Sequence, residues 1–290
     1  MSLSSTLWWP APAKLNLFLH ITGRRDDGYH LLQTVFVILD YGDGLSYKVT
    51  DDGEIRRLYA EGVMADVPFE KDLIVRAAQL LQQFSGCRQG VEIDLQKRLP
   101  MGGGLGGGSS DAATTLVALN KLWNLGLSID ELAQLGLQLG ADVPVFVRGQ
   151  TAWAEGVGEQ IEPIEVKEMW YLVIIPPITV STDEIFSDSQ LIRDTSAITI
   201  RDFLAGHTVA NTLEAVVEKG YPAVVEALDW LRQYTPARMT GSGACVFAAF
   251  EDKVQAEELK AKMPEGWKGF IARGVNRSPL LKLADSYSAG

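Results

Sequence analysis

The sequence predicts an α+β protein of two domains, and three observations carry that prediction. Strands with period-two alternation are interleaved with capped amphipathic helices. A turn in which six of the seven positions from Gly102 to Gly108 are glycine joins a strand to a helix. From about residue 166 the pattern of strands and helices begins again without repeating the first half. At 290 residues the chain is of the size at which one core usually gives way to two, and the border is placed so that the domains are 1–165 and 166–290.

The first element is KLNLFLHIT (14–22), which alternates with Leu15, Leu17, Leu19 and Ile21 on one face and Lys14, Asn16, Phe18 and His20 on the other. That strand sets Lys14 and Asn16 side by side. RRDDGYH (24–30) reads as a turn, LLQTVFVILD (31–40) as a second strand paired with the first, and residues 45–49 as a further strand. DLIVRAAQLLQQFSG is a helix with Asp72 as N-cap and Gly86 past its end. VEIDLQK (91–97) leads as a strand into the glycine run, and a helix follows from Ser109 to about Trp123, with Gly126 to stop it.

SIDELAQLGLQLG (128–140) opens on a capping box between Ser128 and Glu131. The next segment, GADVPVF, cannot continue that helix because Pro144 lacks an amide donor, so Asp142 falls on a helix-to-loop corner. The second half reads as a strand at 169–175, a loop with Pro176 and Pro177, helices near 211–219 and 222–234, a strand at 245–250, a helix at 251–263 and a strand at 269–275.

Composition narrows the partners. With 47% apolar and 22% charged residues the chain is an ordinary globular one, and no window is long and apolar enough to cross a bilayer. MSLSSTLWWPAPAK lacks the basic flank and apolar stretch of a secretory signal, so none is expected. Cys87 and Cys245 have no metal-ligand spacing and suit two partly buried thiols in a reducing cytoplasm. The net charge of −11 argues against nucleic acid and anionic membranes as partners. An anionic substrate would therefore need backbone donors, a few basic side chains and a metal ion.

The glycine run supplies such donors. Glycine is costly to order, and its use here lets consecutive N–H groups converge where no side chain blocks a ligand, while the following helix adds its positive dipole end. A phosphate is the natural occupant. A flexible linker would carry polar residues on both flanks rather than a strand and a helix. The P-loop pattern fails because Gly108 is followed by Ser109 and Ser110 with no lysine. A dinucleotide fingerprint at Gly102, Gly104 and Gly107 fails because two helices follow where a second parallel strand with an acidic end is required.

PMGGGLGGGSSDAAT (100–114) resembles the phosphate loop of the galactokinase, homoserine kinase, mevalonate kinase and phosphomevalonate kinase superfamily, the GHMP kinases. PAKLNLFLHITGRRDDGYH (12–30), the loop itself, LGADVPVFVRGQTAWAEGVGE (139–159) and ARMTGSGACVFAAF (237–250), in this order and nearly end to end, look like the branch whose acceptor carries a cytidine diphosphate. The resemblance implies the two-domain α+β GHMP-kinase fold, with a left-handed βαβ unit in the N-terminal domain and a ferredoxin-like C-terminal domain. The general handedness rule would give the opposite crossover. It implies an ATP-dependent small-molecule kinase of isoprenoid biosynthesis, using Mg²⁺, cytoplasmic, and a monomer or homodimer. A mevalonate- or homoserine-type kinase and an inactive nucleotide-sensing relative are the alternatives.

On that resemblance Asp142 is the base for the acceptor hydroxyl, and Lys14 holds it ionised and stabilises the transferred phosphoryl. Pro100, Met101, Gly102, Gly103, Gly104, Leu105, Gly106, Gly107, Gly108, Ser109 and Ser110 bind the ATP phosphates, and a hydroxyl at the helix start reaches Mg²⁺, for which no ligand cluster is visible. Asn16, Tyr29, His30, Thr182 and Phe186 bind the acceptor, Tyr29 and Phe186 by stacking. From the residues alone, Asp142 also reads as a helix-terminal turn residue, Lys14 as a solvated strand lysine, Phe186 as core packing and His30 as an incidental loop residue. Thr240-Gly241-Ser242-Gly243 forms a second glycine turn, expected to pack against the first.

Overall fold

The computed structural model describes residues 6–58 and 67–287. It opens with a long antiparallel hairpin of β1 (Trp9–Arg24) and β2 (His30–Thr50), closed by the turn predicted at 24–30. β2 joins into one strand the two expected at 31–40 and 45–49. The hairpin stays continuous at Gly42, where an added Cβ would lie 2.0 Å from the Ala11 carbonyl oxygen. Only a glycine allows the two backbones to approach so closely. Both faces of β1 are covered, and register shifts at Pro12/Lys14, Asn16/Leu19 and Ile21/Gly23 re-aim its side chains, so the simple two-face alternation does not run its full length.

β3 (Ile55–Arg57) lies parallel to β4 (Gly90–Gln96), and α1 (Leu73–Ser85) makes the crossover between them. α1 has its expected caps: the Asp72 carboxylate accepts from the Ile74 N–H at 2.8 Å, and Gly86 takes the left-handed conformation at φ 67°. α2 (Gly107–Leu122) begins inside the glycine run, two residues before its predicted start. Its exit comes at Asn124, with φ 52°, ahead of the expected Gly126, asparagine being among the few side chains that tolerate this region. α3 (Ile129–Leu137) carries the capping box between Ser128 and Glu131. The sequence did not foretell α4 (Val143–Arg148): α3 has already stopped at Leu137, and Pro144 sits in the first turn of the next helix, where no donor is needed. β5 (Ala152–Glu155) and β6 (Gln160–Pro163) then form a hairpin beside β2.

The second half contains β7 (Trp170–Ile175), α5 (Thr182–Ser187), α6 (Ile200–Leu204), α7 (Glu214–Gly220), α8 (Pro222–Arg232), β8 (Ala237–Met239), β9 (Val246–Phe250), α9 (Lys253–Lys260), β10 (Lys268–Val275) and α10 (Pro279–Ser286). Its strands run antiparallel in the order β10-β7-β9-β8, with helices between the first and second and between the third and fourth, which is the ferredoxin-like βαββαβ arrangement. β10 also pairs with β2 through Gly274 opposite Leu39 and Val275 opposite Ile38, so one ten-stranded sheet runs through both halves.

α2 is buried along nearly its whole length, with Ala112, Ala113, Leu116 and Leu119 in the larger core alongside Ile38, Leu45, Leu81, Ile93 and Phe146. Each such large side chain contributes about 1.5–3 kcal/mol on burial. α10 turns back from the second half to add Leu280 and Ala284 to the same core. Cys87 and Cys245 are separate free thiols. No described helix is long and apolar enough to cross a membrane.

Candidate active site

The glycine run forms a wall between two clefts, of about 710 Å³ and about 620 Å³, and Gly102, Gly104 and Gly106 line both. These three glycines have φ of 65°, 74° and 72°. Positive φ at every second residue is the arrangement from which backbone N–H groups converge on an anion, and the first turn of α2 continues the set. The loop is tied to both halves. The Lys14 N–H donates to the Leu105 carbonyl at 3.0 Å, and from the other half the Cys245 N–H donates to the Gly103 carbonyl at 3.2 Å and the Thr240 hydroxyl to the Gly104 carbonyl at 3.3 Å. A Cβ on Gly104 would meet the Thr240 carbonyl oxygen at 2.1 Å, so the two glycine turns pack backbone to backbone, as the sequence suggested.

The larger cleft brings together Lys14, Asn16, Tyr29, His30, Asp142, Thr182 and Phe186, all of the residues assigned above to the acceptor and its chemistry. Lys14 is 3% exposed. Its Nζ donates to Asn16 Oδ1 at 2.6 Å, stands 3.6 Å from Asp142 Oδ2 and lies 5.2 Å above the Phe36 ring. Burial lowers the Lys14 pKa, and the Asp142 carboxylate opposes that shift. Asn16 is held in turn, its amide donating to Thr34 Oγ1 at 2.8 Å and its backbone N–H to Thr240 Oγ1 at 3.0 Å.

Asp142 stands at the N-cap position of α4 but keeps a right-handed backbone (φ −83°, ψ −11°), and its side chain caps nothing. Its carboxylate is 35% exposed and faces the cleft instead. The corner that the sequence placed here therefore exists, and Pro144 makes it by starting a new helix.

At the far end of the cleft Tyr29 is 65% exposed, and the ring that approaches Phe186 is His30, at 5.1 Å between centroids and 47° between planes. Arg193 donates from Nε to His30 Nε2 at 2.9 Å. Burial, reinforced by Arg193 and Arg24, lowers the His30 pKa. The Thr182 and Ser242 hydroxyls lie 2.7 Å apart and tie α5 to the second glycine turn.

The smaller cleft is lined by Pro100, Met101, the residues from Gly102 to Gly108 and Ser109. Ser110 does not line it: this residue is fully buried in α2, and its hydroxyl has no hydrogen-bond partner. Lys97 and Asp111 line the same cleft and belong to a charge cluster that sequence reasoning missed. Lys97 Nζ sits 2.5 Å from Asp43 and 3.0 Å from Asp111, while Asp43 Oδ1 accepts from the Arg98 and Leu99 N–H groups at 2.6 and 2.8 Å. Asp111 is 3% exposed and its Oδ1 has no partner. Burial pushes its carboxyl up to about 7 against the pull of Lys97. The one local signal was an acidic residue in the buried run of a small-residue helix; Asp43 resembled a turn aspartate and Lys97 a solvated strand-end lysine.

Among the described residues no group of three or more His, Cys, Asp or Glu is placed to hold a metal. A divalent cation at the loop would rely on phosphate oxygens, water and one or two protein oxygens, as Mg²⁺ commonly does. Asp111, which lines the smaller cleft and whose Oδ1 has no partner, fits that requirement.

Comparison with known proteins agrees with this geometry. Residues 72–150 match the GHMP kinases N terminal domain and residues 192–269 the GHMP kinases C terminal domain. A 4-diphosphocytidyl-2-C-methyl-D-erythritol kinase of Nitrosococcus oceani is 59% identical over 275 residues, covering 95% of this chain and 97% of its own. The protein of the same name from Pseudomonas aeruginosa is 55% identical, covering 96% and 97%. A crystal structure of 4-(cytidine 5'-diphospho)-2C-methyl-D-erythritol kinase superposes with a TM-score of 0.79 at 31% identity, over 93% of this chain and all of that one. Methanococcus jannaschii mevalonate kinase shares the fold, with a TM-score of 0.69 at 18% identity over 95% of this chain and all of its own.

Proposed function

The chain belongs to the GHMP kinases, and from that premise we propose that it transfers the γ-phosphoryl of ATP to the C2 hydroxyl of 4-diphosphocytidyl-2-C-methyl-D-erythritol, giving the 2-phosphate. The observation that carries the proposal is the pairing of Lys14 and Asp142 in a cleft whose wall is the glycine loop. The reaction is a step of the non-mevalonate isoprenoid route, and the enzyme works in the cytoplasm as a monomer or homodimer.

In this reading the acceptor hydroxyl lies against Asp142, which accepts its proton as the oxygen attacks phosphorus; the γ-phosphoryl passes directly to that oxygen and ADP leaves. Lys14 lies within reach of the carboxylate, and its ammonium stabilises the charge that develops on the transferred group. Buried and hydrogen-bonded to Asn16, it is oriented before the substrate arrives. The glycine loop and the first turn of α2 receive the phosphates with backbone N–H groups. Mg²⁺, held by Asp111 together with the phosphates, would offset phosphate charge. Tyr29, His30, Thr182 and Phe186 hold the cytidine end. The division at 165/166 then has a meaning: 1–165 supply the loop, Lys14 and Asp142, and 166–290 supply α5 and the second glycine turn.

The test is ADP release with Mg-ATP against diphosphocytidyl-methylerythritol, mevalonate, homoserine and galactose. Turnover with the cytidine compound alone is expected. Turnover with one of the others would move the chain to another branch, and ATP binding without any turnover would favour a nucleotide sensor.

A further inference from the structure

Arg193 is the most heavily engaged side chain at the acceptor end of the cleft, and the reaction as described makes no use of it. Its Nη2 donates to the carbonyls of Phe186 and Asp188 at 3.0 and 2.8 Å, and its Nη1 to that of Leu191 at 3.0 Å. Three carbonyls thus fix the guanidinium plane, and the Nε–H is aimed at His30 Nε2.

A guanidinium keeps its proton in proteins, so in this contact Nε must donate and His30 Nε2 must accept. A neutral histidine that accepts at Nε2 carries its proton on Nδ1. Nδ1 has no hydrogen-bond partner among the described residues, and the ring lines the cleft beside Phe186. The charged groups that share this part of the cleft are Arg24 and Asp27 from the turn and Asp183 from α5.

We propose that Arg193 is a positioning residue for the acceptor's base: it locks His30 in the neutral Nδ1–H form, so that a planar base lying on Phe186 meets one fixed donor. The inference rests on the functional reading above, and it adds what fixes the tautomer of His30. A single N–H donor takes a ring nitrogen or carbonyl that accepts, such as N3 or O2 of cytosine, and disfavours a ring N–H at the same place. The lowered His30 pKa agrees with this, because a second proton would put two cations in direct contact.

The chain has three histidines, His20, His30 and His207, so nitrogen-detected NMR resolves His30 without any substrate. Wild type should show Nδ1 protonated and Nε2 unprotonated through neutral pH. Arg193→Met should show mixed tautomers with an upward-shifted titration, and Arg193→Gln, whose amide can still donate, should keep the wild-type form. An Nε2–H tautomer in wild type, or a titration that Arg193→Met leaves unmoved, overturns the proposal.

Kinetics give the second arm. The KM for the cytidine acceptor should be flat from roughly pH 6 to 8 in wild type and Arg193→Gln. In Arg193→Met it should rise about tenfold, the equivalent of one hydrogen bond, at the alkaline end. It should recover toward the acid end, where the imidazolium donates from both nitrogens whichever way the ring faces. A KM raised evenly at every pH would make Arg193 a purely structural tie and would also overturn the proposal. Wild type that fails to turn over the cytidine acceptor would count against the functional reading instead, and the NMR arm would still decide the tautomer.

Discussion

On the acceptor side of the glycine loop the side chains of Lys14 and Asn16 are already engaged, with Asp142, with each other and with Thr34, before any ligand is present. On the nucleotide side Asp111 Oδ1 and Ser110 Oγ are buried with no partner, next to a lysine shared between two carboxylates. In the proposed function the two sides answer different demands. An uncharged hydroxyl must be oriented, and a network that satisfies itself does that cheaply. A polyphosphate with its cation brings its own charge, and a site that meets it keeps oxygens in reserve at some cost to stability.

The largest effect should come from breaking the acceptor side. Asp142→Asn should reduce kcat about a thousandfold, within the span typical of general acid–base groups, with little change in the acceptor KM. Rate measurements under single-turnover conditions check this, and a kcat close to that of wild type would remove Asp142 from proton transfer. Next comes the wall itself. Gly104→Ala places a Cβ against the Thr240 carbonyl oxygen and forces an L residue to φ 74°, so both clefts should suffer together. Denaturant unfolding should show a loss of about 3 kcal/mol, and an unchanged stability would mean that the two glycine turns separate easily.

A graded effect sharpens the nucleotide side. The folded pKa of Asp111 is raised to about 7, so the folded protein binds the extra proton and the unfolded chain releases it. Its contribution to stability must therefore fall as pH rises from the ordinary carboxylate range toward 7, and the cost is complete above that. Asp111→Asn removes the slope. Relative to wild type the variant should gain stability steadily across that window, on the order of 4 kcal/mol by its upper end, as read from unfolding midpoints at a series of pH values. A parallel pair of curves would show that Asp111 titrates normally.

What could be read from the sequence was what neighbouring residues decide among themselves. The Asp72 cap, the Gly86 exit, the capping box at Ser128, and the glycine run with its strand and helix are local, and so is the juxtaposition of Lys14 and Asn16 on one strand. What stayed hidden depends on partners far along the chain. β2 runs on through Gly42 because Ala11 lies against it, some thirty residues away. Arg193 gains its meaning from His30, and Lys97 from Asp43 and Asp111 on two other elements. α4 was missed for another reason: a proline reads as a stop, although it serves equally well as a start.

The return of α10 to the first half bears on the order in which the chain can mature. Leu280 and Ala284 complete a core whose other walls come from Trp9 onward, so during synthesis that core stays open on one side until the last strand and helix have left the ribosome. The second half, with its own strand order closed by β10, can assemble as that strand emerges. The half translated first is therefore the half finished last, and it waits for a helix made at the other end of the message.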